Sequence, residues 1–146
     1  MMTPKRLAGE LERRLDGPHA DEHTSATAGL AAEAIRFLNY ATGSHSPEGM
    51  IYPATVYEIA ADLSSATHRM VQLFGQLADW LAREDDAGML GTDDGQPSAE
   101  VVAAARKRLT AASASATLLS AQLAALQNGI AGLNGRGPNR QLGRAS

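Results

Sequence analysis

Apolar residues recur at alternating intervals of three and four through two long stretches of the chain, the spacing that keeps side chains on one face of an α-helix. In the stretch 53–84, Val56, Ile59, Leu63, Ala66, Met70, Leu73, Leu77 and Trp80 follow this rule without a break. Ala60, Thr67, Phe74 and Leu81 add a second row spaced by seven. The stripe is therefore widened on one side, as a bundle helix requires. Either Pro53 is its first helical residue, or Thr55 and Glu58 form a capping box. In the stretch 98–133 the rule continues through Val102, Ala105, Leu109, Ala112, Ala116, Leu119, Leu123, Leu126, Ile130 and Leu133. Ser98 is the expected N-cap there, with Glu100 near the positive helix end. The intervening "REDDAGMLGTDDGQP" is rich in glycine and acidic residues and must be a loop, so the two helices should fold back on each other.

Two shorter helices are expected ahead of this pair. One covers 3–15, opened by Thr3 and Pro4, striped by Leu7, Leu11 and Leu15, and ended by Gly17-Pro18. The next covers 21–41, with Leu30, Ala34, Phe37 or Leu38, and Ala41 on one face. The predicted fold is all-α: a single four-helix domain over 1–133, an up-and-down bundle around a long antiparallel helical hairpin. Residues 134–146, glycine-rich and basic, are expected to form a flexible tail.

Composition narrows the chemistry. The absence of cysteine excludes disulfides, thiol catalysis and cysteine-ligated zinc. The N-terminal "MMTPKRLAGELERRL" has no apolar core and does not read as a secretory signal. Residues 109–135 carry no charge, but Ser113, Ser115, Ser120, Gln122, Gln127 and Asn128 make them too polar, on this reading, to cross a membrane. A cytoplasmic protein without a membrane partner is expected. The net charge of −3 is unevenly spread: +2 over 1–15, −11 over 16–100 and +6 over 101–146. Such segregation suits internal pairing or a charged partner.

The sharpest chemical motif is His19-Ala20-Asp21-Glu22-His23, which matches H-x-x-E-H. On a helix, His19 and His23 would share a face and could hold Zn²⁺ while Glu22 serves as base. Glu100 stands at the spacing of the third ligand in the pitrilysin-like metallopeptidases. The resemblance covers only these four residues, and Thr24, Ser25 and Ala26 replace the apolar residues that follow the family's motif. A polar helix start with two solvated histidines is the reading preferred here, so no metal and no cofactor are expected. Asp93-Asp94-Gly95 lacks the order of a calcium loop and reads as an acidic turn. His45, between Ser44 and Ser46, forms no triad, because adjacent residues seldom face one another. His68 falls outside the apolar stripe, at the surface.

Arg106-Lys107-Arg108 opposes the dipole at the start of its helix. Pairing with Asp79, Glu84, Asp85 and Asp86 is expected to offset it. The alternative is a phosphate-contacting patch extended by Arg136, Arg140 and Arg144. Gly75, inside the third helix, implies either a close approach by another helix or a kink.

The stretches "AIRFLNYATGSHSPEGMIYPATVYEIAADL" and "QLFGQLADWLARE", followed by an alanine-rich helix, resemble small uncharacterised all-helical proteins of high-GC actinobacteria. Some of these are encoded near plasmid-like or integrative elements. The likeness spans about residues 30–133 and transfers no site residue; it implies an accessory or partner-binding role near DNA transfer. The expected function is helix-mediated protein–protein interaction or scaffolding, with self-association and no catalysis. A nucleic-acid accessory factor and a small zinc protein are the alternatives.

Overall fold

A computed structural model describes residues 20–45 and 47–135. The helix expected over 3–15 and residues 136–146 of the expected tail lie outside them. The described chain is all-α, with no strand: α1 (Asp21–Ala41), a 3-10 turn (Pro47–Gly49), α2 (Pro53–Asp86) and α3 (Ser98–Ile130). It falls into two units that meet between Met50 and Ile51.

In the first unit, α1 has the expected bounds. Asp21 and Glu22 occupy its first turn, where the helix dipole favours negative charge. At its end the Thr42 hydroxyl donates to the Leu38 carbonyl at 2.8 Å. No residue of α1 is buried, and Leu30, Phe37 and Tyr40, on its apolar face, are exposed. The chain then turns back so tightly that a Cβ on Gly49 would collide with the Ala41 carbonyl.

The second unit is the antiparallel hairpin of α2 and α3. Pro53 is the first residue of α2, and extended Tyr52 precedes it, so the proline start prevails over a Thr55/Glu58 capping box. The helix runs to Asp86, two residues past the expected end, and closes with a full Schellman motif. Gly88 adopts φ 69° and donates to the Asp85 carbonyl at 2.9 Å, while Met89 donates to the Glu84 carbonyl at 2.9 Å. Only glycine enters that left-handed region cheaply. Ser98 is not the N-cap of α3. Pro97 takes that position, and the Ser98 hydroxyl instead donates to Asp85 Oδ1 at 2.5 Å, tying the two helices together at the turn. α3 stops at Ile130, short of the expected 133, where Gly129, Gly132 and Asn134 weaken helix propagation.

The hairpin packs through the predicted stripe, but on α2 through its flanking row rather than its main row. On α2 the contact runs along Ala60, Ser64, Thr67, Val71, Phe74, Ala78 and Leu81; Ala60 and Thr67 are buried and the others half-buried. Met70, Leu73, Leu77 and Trp80, expected in the seam, are 40–49% exposed. On α3, Val102 and Ala116 are buried and Ala105, Leu109, Ala112, Leu123 and Ile130 half-buried, as expected, while beyond Ala116 the seam also takes in Ser120 and Gln127. Leu119 and Leu126 are left 50% and 44% exposed. Small residues let the backbones approach along this row, and at the closest point the hydroxyls of Ser64 and Ser120 each donate to the other residue's carbonyl at 3.0 Å. Thr67, the buried polar residue, is satisfied by the carbonyls of Leu63 and Ser64 at 2.9 and 3.0 Å.

By length and composition α3 is apolar enough to cross a membrane, which corrects the reading of residues 109–135 as too polar. Of the hydroxyls that suggested polarity, Ser115 donates to the Ala111 carbonyl four residues back and Ser120 to the Ser64 carbonyl across the hairpin.

Gly75 has open space where a Cβ would stand, so close approach by a neighbouring helix does not explain it. Gly75→Ala is expected to stabilise α2 by about 1 kcal/mol, the usual glycine penalty in a helix interior. An increased urea midpoint, followed by circular dichroism, would show it. A decrease would reveal that the glycine serves a contact absent from the single chain.

Candidate interaction surface

The rotation of the seam gives the hairpin two unlike sides. Relative to the contact row, Met70, Leu73, Leu77 and Trp80 lie about 100° to one side of α2, and Leu119 and Leu126 lie in the same sense on α3. In an antiparallel pair, rows offset in the same sense from the contact fall on the same side of the hairpin. Met70, Leu73, Leu77 and Trp80 therefore share one surface with Leu119 and Leu126, and Val56, Ile59 and Leu63 continue it, half-buried, toward the open end; exposed Arg108 lies on the same side of α3, and Leu118, 62% exposed, faces away from it. Ala105 and Ala112, also half-buried, border it on α3 near the turn.

The opposite side is polar. Ser64, Ser65, His68, Arg69 and Ser120 line a shallow depression at the waist of the hairpin. Its two seam hydroxyls each donate to the other residue's carbonyl, their oxygens lying 3.3 Å apart. His68 is exposed, as its place outside the apolar spacing predicts.

The pairing expected for Arg106, Lys107 and Arg108 is not made. All three are exposed, and among the described residues the sole ion pair is Arg36–Glu33 at 2.7 Å, within α1. Asp85 instead accepts from Ser98. Successive residues on a helix point 100° apart, so three in a row cannot all face α2. Arg136, Arg140 and Arg144 lie outside the described residues.

Of the candidate metal ligands, His19 also lies outside the described residues. Glu22 and His23 are exposed in the first turn of α1, in one unit, and Glu100 is exposed in the first turn of α3, in the other. Among the described residues no three His, Asp or Glu side chains gather to hold a metal. Asp94 accepts from the Gln96 backbone and side-chain amides at 3.2 and 2.8 Å beside Gly95 at φ 76°, the arrangement of an acidic turn.

Two features escaped the apolar spacing: the Ser64–Ser120 pair and the Asp85–Ser98 tie. A signal for the first was present. Ala60, Ser64, Thr67, Val71, Phe74 and Ala78 also alternate by four and three, but as a row of mostly small residues. Comparison with family models, curated proteins and solved structures returns no match for this chain.

Proposed function

We propose that this protein is a non-catalytic helical interaction module, acting in the cytoplasm, whose hairpin offers its apolar side to a protein partner. The observation that carries this is the placement of four large apolar side chains of α2, Met70, Leu73, Leu77 and Trp80, outside the hairpin's own seam. Full burial of such a side chain contributes roughly 1.5–3 kcal/mol, so covering what each still exposes is worth on the order of 1 kcal/mol. Several in one stripe suffice to drive association. A row of this kind, rimmed by polar residues, marks a protein contact more often than a solvated surface.

The second reading, a nucleic-acid accessory factor, is favoured by one observation: Arg106, Lys107 and Arg108 are exposed, without acidic partners among the described residues. Photo-crosslinking side chains placed singly at Leu73, Leu126 and Lys107 of the full chain in cells separate the two. Discrete protease-sensitive adducts from Leu73 and Leu126 are expected. Nuclease-sensitive adducts from Lys107, with none from the apolar side, would overturn the interaction reading in favour of the second.

A further inference from the structure

We infer that Asn134 is a site of spontaneous modification, its side-chain amide being lost to attack by the backbone nitrogen of Gly135. The fold directs this chemistry to Asn134 rather than to Asn128, which precedes Gly129 in the same way. The inference stands apart from the interaction reading above.

The reaction is a ring closure within the chain. The Gly135 nitrogen forms a bond to Asn134 Cγ, the bond from Cγ to Nδ2 breaks, and the proton from the attacking nitrogen leaves with the amide as ammonia. Water then opens the resulting succinimide at either carbonyl. Opening at one restores the backbone with an aspartyl side chain; opening at the other routes the backbone through the side chain as isoaspartate. No enzyme or cofactor is needed. A glycine after the asparagine favours the step, because no Cβ crowds the attacking nitrogen.

The sequence offers two such pairs six residues apart, and both asparagines are exposed. Access of water therefore does not separate them; the backbone does. Asn128 and Gly129 lie inside α3, which runs to Ile130. There the Gly129 N–H is turned to the carbonyl four residues back. Closing the ring requires rotation about the asparagine Cα–C bond until the next nitrogen swings beneath Cβ, far from the helical ψ of about −42°. Asn128 must therefore leave the helix before it reacts. Asn134 lies past the helix and the turn that follows it, in irregular backbone. Its side-chain amide reaches only the Gly132 carbonyl, at a long 3.4 Å.

The product changes the charge of a segment that holds no acid. Residues 101–146 carry six basic side chains and no acidic one, so a carboxylate at position 134 lowers their net charge from +6 to +5. It stands two residues before Arg136, where it opposes any contact of that segment with phosphate.

The test is timed incubation of the full chain at neutral and at mildly alkaline pH, followed by tryptic digestion and fragmentation mass spectrometry. Both asparagines fall on one tryptic peptide, 109–136, so each is the other's internal control. Conversion at position 134 is expected, with aspartyl and isoaspartyl products together, and faster at the higher pH because the attacking nitrogen must lose its proton. Asn128 should convert at least about fivefold more slowly in the folded chain, since its reaction waits on opening of the helix end. In urea the two rates should converge. Gly135→Ala should slow the loss at Asn134 on the order of tenfold. The fold accommodates that change, because the added Cβ would meet Pro53 Cδ at 3.7 Å, an ordinary contact. Equal rates at the two asparagines in the folded chain would overturn the inference, since the helix would then select nothing. So would an Asn134 that keeps its amide while the chain in urea loses it, or a Gly135→Ala variant that converts as fast as the parent.

Discussion

Ala116→Asp is expected to be the most damaging single substitution in the hairpin, costing more than about 3 kcal/mol. Ala116 is buried in the α3 seam, where the chain passes close to Thr67 and the Ser64–Ser120 pair. A carboxylate there would lose its water. The hydroxyls nearby offer no compensation, because Thr67, Ser64 and Ser120 already donate to backbone carbonyls. The added volume would also wedge apart backbones that approach through small residues. Urea unfolding followed by circular dichroism should show a large fall in midpoint, or no cooperative transition at all. A midpoint within experimental error of the parent would mean that α3 does not pack along Val102 and Ala116. Leu119→Asp is the informative contrast. Apolar spacing puts Leu119 in the seam, but it is half-exposed, so the same charge three residues away should cost the single hairpin far less.

Phe74→Ala is the second large effect, expected at about 2 kcal/mol. Phe74 is the bulkiest residue of the α2 contact row and is half-buried, so the cost falls below the 3–5 kcal/mol of a fully buried phenylalanine. Its neighbour Leu73 lies on the apolar side, outside the seam. The loss from Leu73→Ala should be smaller, because that side chain is about half exposed in the single chain. Urea unfolding of the two variants is the measurement. Equal losses would mean that Leu73 shares the intramolecular seam with Phe74.

The absence of cysteine removes thiol and disulfide chemistry whatever the fold, because it removes the atoms that chemistry needs. The helices themselves were legible for a local reason. Alanine and leucine propagate a helix, Pro53 opens one, and the glycines and acids of 87–97 end another, all through interactions within a few residues. That α2 and α3 fold back on each other follows from the shortness of the loop between them. Candidate sites were less legible. A motif such as His19–His23 with Glu100 is a spacing along the chain, and ligand geometry is a property of space. Arg106–Lys107–Arg108 was expected to pair with the acids of α2 by proximity alone, but the 100° step between residues fans the three side chains apart.

What the sequence by itself determined is therefore which of the described segments are helical, roughly where they begin and end, and that each long helix carries an apolar stripe. What only the tertiary structure decided is which stripe each helix turns to the other. Periodicity fixes the angle between residues on one helix but not its rotation against a neighbour. That rotation is chosen by contact: Ala60, Ser64 and Thr67 meeting Ala116 and Ser120 allow an approach, and a pair of reciprocal hydrogen bonds, that Leu63, Met70 and Leu119 would hold apart. The same choice turns the larger apolar residues outward, and the candidate interaction surface is its direct result.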